Sequence, residues 1–204
     1  MNASAARSAI VPWACVAAIV ATMAASMRWQ GRVWISASGK VSLWHGDVWS
    51  SECSQQVFDP YSLTHMSHGF IFAGLAWLAW RVLGGRAGWT WLGDVRWHFV
   101  MSMAAAAGWE ILENSPMIID RYRTATMSLD YLGDSVLNSL GDLLSCAIGF
   151  AIARWLGVWK TAALFVLVEL VLLWCIRDNL TLNVVMLIRP IEGVREWQSA
   201  LAPR

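Results

Sequence analysis

Charged residues are scarce in this chain of 204 residues. Asp, Glu, Lys and Arg make up 14% of it, against about 25% in an ordinary soluble domain. The formal net charge of +1 leaves no basic face of the kind that nucleic-acid-binding proteins use. Hydrophobic residues reach 57%, and there are 15 tryptophans, which favour the membrane–water boundary. This composition predicts a helical protein that crosses a membrane several times.

Several common signatures are missing. The four cysteines form no Cys-x-x-Cys pair, so neither a disulfide framework nor a zinc ribbon is indicated. The sequence has no Gly-x-Ser-x-Gly, no Walker loop, no dinucleotide fingerprint and no His-Glu-x-x-His. Enzymes that use a serine nucleophile or a nucleotide are therefore disfavoured.

Apolar segments long enough to cross a bilayer recur along the chain. They are residues 9–27, 62–83, 95–115, 130–156 and 159–176. We interpret the first as an uncleaved span, with a signal peptide as the alternative. The predicted fold is all-α, a single integral-membrane domain over residues 1–204 that forms a bundle of about five spans.

The remaining segments are assigned by their polarity and length. Residues 28–60 are predicted to be a tryptophan-rich loop outside the membrane, and residues 116–129 a second loop. The apolar run after Asn179 is too short to span, so we expect an interfacial or re-entrant segment. Residues 191–204 form the C-terminal tail.

One stretch, residues 109–142, is rich in acids although apolar segments flank it on both sides. It holds six of the chain's 14 acidic residues: Glu110, Glu113, Asp120, Asp130, Asp134 and Asp142. Charges at membrane depth are costly, so they are functional candidates by default.

The alternation of the spans brings dispersed polar residues to one end of the bundle. The second and fourth spans begin at the end where the third and fifth finish. We call this the site end, and the other the opposite end. The residues expected to meet there are His65, His68, Glu110, Glu113, Asp130, Asp134, Arg121, Arg123 and Arg177.

A metal site is the first interpretation of this set. His65 and His68 lie three residues apart, so they share a helix face. Imidazole and carboxylate ligands suit Zn, Fe or Mn, and the predicted carboxylate ligands are Glu110, Glu113, Asp130 and Asp134. The alternative is that the histidines only cap and hydrogen-bond, while the acids form ion pairs with the arginines.

The fourth span adds a second pattern. Asp130, Asp134, Asn138 and Asp142 follow one another at steps of four residues, which places the first three on one helix face. Such a face suits Mg²⁺ that binds phosphate groups, so we predict catalytic roles for Asp130, Asp134 and Glu113. The alternative is a polar seam between helices, closed by small neighbouring residues.

The basic residues suit an anionic ligand. Arg121, Arg123 and Arg177 carry forked donors that match phosphate or carboxylate, and contact with lipid head groups is the alternative. Glu169 is a lone acid within a span. It either faces a basic partner inside the bundle or is neutral.

Five runs carry a resemblance to a known family. They lie at residues 44–55, 62–70, 109–123, 129–142 and 176–190. Through them the chain resembles an uncharacterised bacterial inner-membrane family, a domain of unknown function, and more distantly VanZ-like and YjdF-like membrane proteins. This resemblance implies a multi-pass protein of the bacterial inner membrane. The chain departs from the family pattern at residues 35–39, where a Cys-x-Cys-Gly is absent, and at Gln56, where the family pattern has histidine.

These observations lead to two functional hypotheses. The first is a membrane-embedded, metal-dependent enzyme that acts on an anionic lipid or polyprenyl-phosphate head group with a divalent ion (Zn, Fe, Mn or Mg). The second is a non-enzymatic accessory subunit or assembly factor of a larger membrane complex, with the loop of residues 28–60 as its docking surface. An ion or proton pathway ranks third, because only Asp142 and Glu169 reach deep into the spans.

Overall fold

The computed structural model describes residues 3–84, 88–128 and 130–201. Apart from an isolated bridge between Trp44 and Phe58, this part of the chain contains no β-structure. Its helices are α1 (Ala3–Trp29), α2 (Ser62–Leu83), α3 (Val95–Glu113), α4 (Pro116–Ala125), α5 (Val136–Leu156), α6 (Val158–Ile176), α7 (Leu180–Ile188) and α8 (Glu192–Ser199). The predicted all-α fold is confirmed.

Four of these helices, α1, α2, α5 and α6, are long and apolar enough to cross a membrane. Helix α3 has the length of a span, but polar residues such as His98 and Glu110 dilute its apolar character, and it packs against α1, α2 and α5. Tryptophans flank the bundle at both ends. Trp155 and Trp159 are exposed at the opposite end, and Trp29 and Trp174 at the site end. This distribution is typical of the aromatic belts of membrane proteins.

The pair α2 and α5 forms the centre of the bundle. A Cβ at Gly69 would overlap the carbonyl oxygen of Cys146, and one at Gly149 would overlap that of Met66. The two backbones are therefore in direct contact, which only glycine permits at these positions. This contact holds the first turns of α2 against the middle of α5.

The loop between α1 and α2 covers the start of α5. The backbone N–H groups of Ser135, Val136 and Leu137 donate to carbonyls of the loop, at 3.0, 2.9 and 3.1 Å. The Ser135 hydroxyl accepts from the N–H of Asn138 at 3.1 Å and caps the helix. The first amides of a helix have no partner within it, so these contacts fix where α5 begins.

Two boundaries differ from the predictions. Helix α5 begins at Val136, so Asp130 and Asp134 precede it and the predicted four-residue ladder on one helix face is wrong. The reason is local: Gly133 has a positive φ of 87°, which ends any helical path, and Ser135 is a strong cap. Within the predicted loop 116–129, α4 forms because Pro116 occupies its first position and Ser115 caps it.

Helix α7 folds back beside α6, as expected for a re-entrant segment. The Glu169 carboxylate, on α6, accepts hydrogen bonds from the backbone N–H of Leu180 (3.1 Å) and Thr181 (2.9 Å). Among the described residues no arginine or lysine lies within ion-pair distance of Glu169, and its carboxylate satisfies the free amides at the start of α7. A carboxylate at a helix N-terminus is also favoured by the helix dipole.

Candidate functional site

A cavity of about 950 Å³ lies at the site end of the bundle. Its walls come from the loop between α1 and α2, from α2, α3, α4, α5 and α7, and from the segment before α5. Its titratable lining residues include His65, His68, Glu113, Asp130, Asp134, Asp142 and Arg123. Residues from dispersed parts of the sequence therefore meet at one end, as the alternation of the spans predicts.

The core of the site is a group of three buried side chains. His65 on α2 and Glu110 and Glu113 on α3 place one ligand atom each within 4.8 Å of one another. His65 Nδ1 lies 3.1 Å from Glu110 Oε1, and the side chain of Glu110 is 1% exposed. Glu110 and Glu113 lie side by side because residues three apart on α3 project from the same face of the helix.

The carboxylates of this group have free lone pairs. Among the described residues, neither oxygen of Glu110 has a hydrogen-bond partner, because the His65 ring is close but not aligned for a hydrogen bond. Glu113 Oε1 accepts from the Tyr122 hydroxyl at 2.7 Å, whereas Glu113 Oε2 has no partner. Buried polar atoms are nearly always satisfied, so these oxygens call for an explanation.

The other side of the His65 ring faces Asp142 on α5, with Nε2 3.9 Å from Asp142 Oδ2. The Ser62 hydroxyl donates to Asp142 Oδ1 at 2.8 Å and holds that carboxylate in place. A carboxylate behind an imidazole is the usual partner of a histidine that binds a metal through its other nitrogen.

Asp134 lies in the cavity wall and is held by three hydrogen bonds. Asn114 donates to its Oδ2 and accepts from its backbone N–H, both at 2.7 Å, and the Tyr131 hydroxyl donates to Oδ1 at 2.8 Å. Burial, together with the nearby Glu110 carboxylate, raises the pKa of Asp134 from 3.8 to about 7. This group can hold or release a proton near neutral pH.

Three of the six predicted ligands lie outside the group of three. His68 lines the cavity, but its ring stands edge-on to His65 with centroids 5.3 Å apart and stacks on Phe72 at 5.7 Å. Asp130 is exposed at the cavity wall. Asp134 is also separate, since its side chain is bound to Asn114 and Tyr131.

The arginines bind backbone carbonyls. Arg121 donates to the Leu187 carbonyl at 2.7 Å and to that of Ile188, at the end of α7. Arg177 donates to the Trp197 carbonyl at 2.7 Å. Of the three, Arg123 alone lines the cavity.

Arg123 donates to the Tyr131 carbonyl at 2.6 Å, and it lies 4.0 Å from the exposed Asp120. Within the described part of the chain, no arginine or lysine lies within ion-pair distance of Glu110, Glu113, Asp134 or Asp142. An ion-pair network of these acids with the arginines, the alternative to a metal site, is absent there.

Tyrosine is the signal that sequence reasoning missed. The chain has three tyrosines, Tyr61, Tyr122 and Tyr131, and all of them line the cavity. Burial raises the pKa of each well above 10, so they stay protonated and act as hydrogen-bond donors. The scarcity of tyrosine beside 15 tryptophans, with two of the three in the acidic stretch, was the available clue.

Of two neighbouring loop residues, Gln55 lines the cavity and Gln56 does not. Gln55 donates to the Gly133 carbonyl at 2.8 Å and ties the loop to the segment before α5. Gln56, where the family pattern has histidine, accepts from the backbone N–H of Ser42 at 2.6 Å and faces the loop rather than the cavity.

Comparison with known proteins identifies relatives along nearly the whole chain. A family model described as a protein of unknown function (DUF2585) matches residues 27–200. A UPF0314 protein of Sphingopyxis alaskensis is 49% identical over 92% of this chain and 94% of its own length. A UPF0314 protein of Novosphingobium aromaticivorans is 50% identical over 82% of each chain. No solved structure matches. The chain belongs to the DUF2585 family of bacterial proteins.

Proposed function

We propose that this member of the DUF2585 family is a membrane-embedded, metal-dependent enzyme that acts on an anionic lipid or polyprenyl-phosphate head group. The observation that carries the proposal is the group of His65, Glu110 and Glu113, whose ligand atoms lie within 4.8 Å of one another. The proposal includes a multi-pass location in the bacterial inner membrane, which the four apolar helices support.

A divalent ion suits this group for three reasons. Two ligands about 2.0–2.2 Å from one ion lie about 3.0–3.5 Å apart, which fits the 3.1 Å between His65 and Glu110. The unpartnered oxygens of Glu110 and Glu113 supply the lone pairs that an ion needs. One nitrogen and two carboxylates favour Zn, Fe or Mn over Mg, which prefers oxygen ligands throughout.

The cavity offers the other parts of a reaction on a phosphate ester. A bound divalent ion would polarise a phosphoryl oxygen or activate a water molecule. Arg123 supplies a cation in the cavity wall. Of the three arginines predicted to bind an anionic ligand, it is the one that this proposal retains. Asp134, with its pKa of about 7, is placed to accept a proton and pass it on.

The test uses purified protein in detergent with two substrates, a diacylglycerol phosphate and a polyprenyl phosphate. We expect release of inorganic phosphate that a chelator abolishes. We also expect Glu113→Gln to lose more than about a hundredfold in rate, since even outer-shell changes at metal sites cost 10–100-fold. Glu196→Gln, the same substitution at an exposed position of α8, is the matched control and should keep the parent's rate. A Glu113→Gln protein as active as the parent would contradict the proposal.

A second candidate function rests on a separate observation. One part of the loop between α1 and α2 exposes six large apolar side chains: Val33, Trp34, Ile35, Val41, Leu43 and Trp44. Exposed apolar patches mark surfaces that contact a partner protein or a membrane. The exposed apolar side chains of this segment therefore support an accessory-subunit role. Purification in mild detergent separates the two functions. A stoichiometric partner lost in Trp34→Ser, together with a metal-free protein, supports the accessory role.

A further inference from the structure

An apolar groove adjoins the cavity on the outside of the bundle. It has a volume of about 390 Å³ and lies between Ile71 on α2, Phe165 on α6 and Val184 and Val185 on α7. The groove and the cavity adjoin each other, because His68, Leu180 and Val184 line both. The polar cavity and the apolar groove therefore share one wall.

The groove lies at the depth of the membrane's hydrocarbon core. Ile71 is nine residues into α2 from its start at the site end, which corresponds to about 14 Å along the helix axis. Phe165 is eleven residues from the end of α6, or about 17 Å. Because the hydrocarbon core is about 30 Å thick, both positions lie well inside it.

Helix α7 is a fixed wall of this groove. Its first amides bind the Glu169 carboxylate, and its last carbonyls accept from Arg121, so both ends are held by buried or half-buried side chains. Val184 and Val185 are 40% and 39% exposed, although they belong to a helix anchored in this way. Both side chains line the groove.

We infer that the groove binds one linear hydrocarbon chain of a membrane amphiphile, which passes His68 so that its polar head enters the cavity beside His65, Glu110 and Glu113. The inference deepens the proposed function, on which the role of the head group rests. The apolar lining matches a hydrocarbon chain. Because the groove adjoins the cavity, one molecule can place its chain in the groove and its polar head in the cavity. A substrate with a polar head but no chain would fill the cavity alone.

A photo-crosslinking experiment tests the groove directly. The probe is a single-chain alkyl phosphate with a diazirine at the end of its chain, added to the purified protein in detergent. After illumination, mass spectrometry of peptides should locate the label on α7 and α2 near Val185 and Ile71. Val185→Trp fills the groove and should lower that labelling by about tenfold, as expected when several methylene contacts are lost.

Matched controls guard against unfolding. Val166→Trp makes the same substitution on the exposed face of α6 and should label like the parent, since Val166 is 54% exposed and outside the groove. Ile71→Trp fills the groove from α2 and should repeat the effect of Val185→Trp. Equal labelling of Val185→Trp and Val166→Trp, or label spread evenly over the exposed helix faces, would overturn the inference.

The experiment also separates the groove from the metal site. Metal content should be the same in Val185→Trp and in the parent, because Val185 lines only the groove. A metal-free parent that still labels α7 contradicts the proposed enzyme and supports the groove. A metal-loaded parent without label on α7 contradicts the groove and supports the enzyme.

Discussion

At the opposite end of the bundle, Asp94 accepts hydrogen bonds from the Arg96 guanidinium, the shortest at 2.6 Å, and both side chains are partly exposed. The side-chain hydrogen bond from Arg96 lowers the pKa of Asp94 below 3.8. At the site end, Asp134 is buried among hydrogen-bond donors without a basic partner, and burial raises its pKa to about 7. The same residue type thus pairs with an arginine at one end, whereas at the other end no arginine or lysine of the described residues lies within ion-pair distance.

This difference shows what the site end lacks. Arg121, Arg123 and Arg177 donate to backbone carbonyls, and no arginine or lysine of the described residues lies within ion-pair distance of Glu110, Glu113, Asp134 or Asp142. Buried charges require a partner or a proton, because the cost of leaving water is otherwise uncompensated. The proposed divalent cation at His65, Glu110 and Glu113 would supply that partner, and it would bind the Glu110 oxygens, which accept no hydrogen bond among the described residues.

The largest expected effect distinguishes the two histidines. His65→Ala should abolish metal binding, because its Nδ1 is one of the three convergent ligand atoms. His68→Ala should keep most of the metal, since His68 stacks on Phe72 outside that group. Elemental analysis of both purified variants measures this. Loss of metal in His68→Ala with retention in His65→Ala would reverse the assignment.

A smaller effect on metal affinity is expected from Asp142, which faces the proposed ligand His65 from α5. Asp142→Asn keeps the shape of the side chain but removes the charge that faces His65 Nε2 at 3.9 Å. Changes of this kind typically weaken metal affinity by about 10–100-fold. Competition with a chelator of known affinity measures the change, and Asp94→Asn at the opposite end is the control. Equal affinities in the two variants would show that Asp142 does not support the ligand.

The smallest effect concerns the pH dependence of stability. Burial raises the pKa of Asp178, between α6 and α7, from 3.8 to about 6. Because the folded protein holds this proton more tightly than the unfolded chain, the group stabilises the fold below about pH 4, and that contribution is lost as the pH rises through about 6. Asp178→Asn should therefore gain stability relative to the parent between these pH values, by about 1–2 kcal/mol.

Thermal unfolding in detergent at pH 4.5 and 7.5 provides the measurement. Asp94 supplies the opposite sign, since its lowered pKa stabilises the fold above about pH 4, although an exposed pair contributes at most about 1 kcal/mol. A difference between parent and Asp178→Asn that is the same at both pH values would contradict the assignment to Asp178.

The sequence predicts the features that follow from hydrophobic length. Helix α2 has the predicted bounds of 62–83, and α6 starts within one residue of the prediction. The meeting of His65 with Glu110 also follows, because consecutive spans must reverse direction. These predictions need only the period of the helix and the thickness of the bilayer.

The features that depend on tertiary contacts are harder to predict from the sequence. The start of α5 depends on loop carbonyls that reach it from residues 33, 34 and 54, and spacing alone placed Asp130 and Asp134 on the helix instead. The sequence gives no sign that Arg121, Arg123 and Arg177 bind backbone carbonyls, which lie at the ends of α7 and α8 and in the segment before α5. Ser115 before Pro116 and Ser135 before α5 are capping signals that the acid spacing obscured.

The most direct test of a cation at the site end is elemental analysis of the purified parent beside Glu110→Gln, with Asp94→Asn as the control. Glu110→Gln conserves size at a position with 1% exposure and removes the charge of a carboxylate whose oxygens accept no hydrogen bond among the described residues. We expect about one divalent transition-metal ion per chain in the parent and in Asp94→Asn, and almost none in Glu110→Gln. A metal-free parent, or the same metal content in all three proteins, would contradict it.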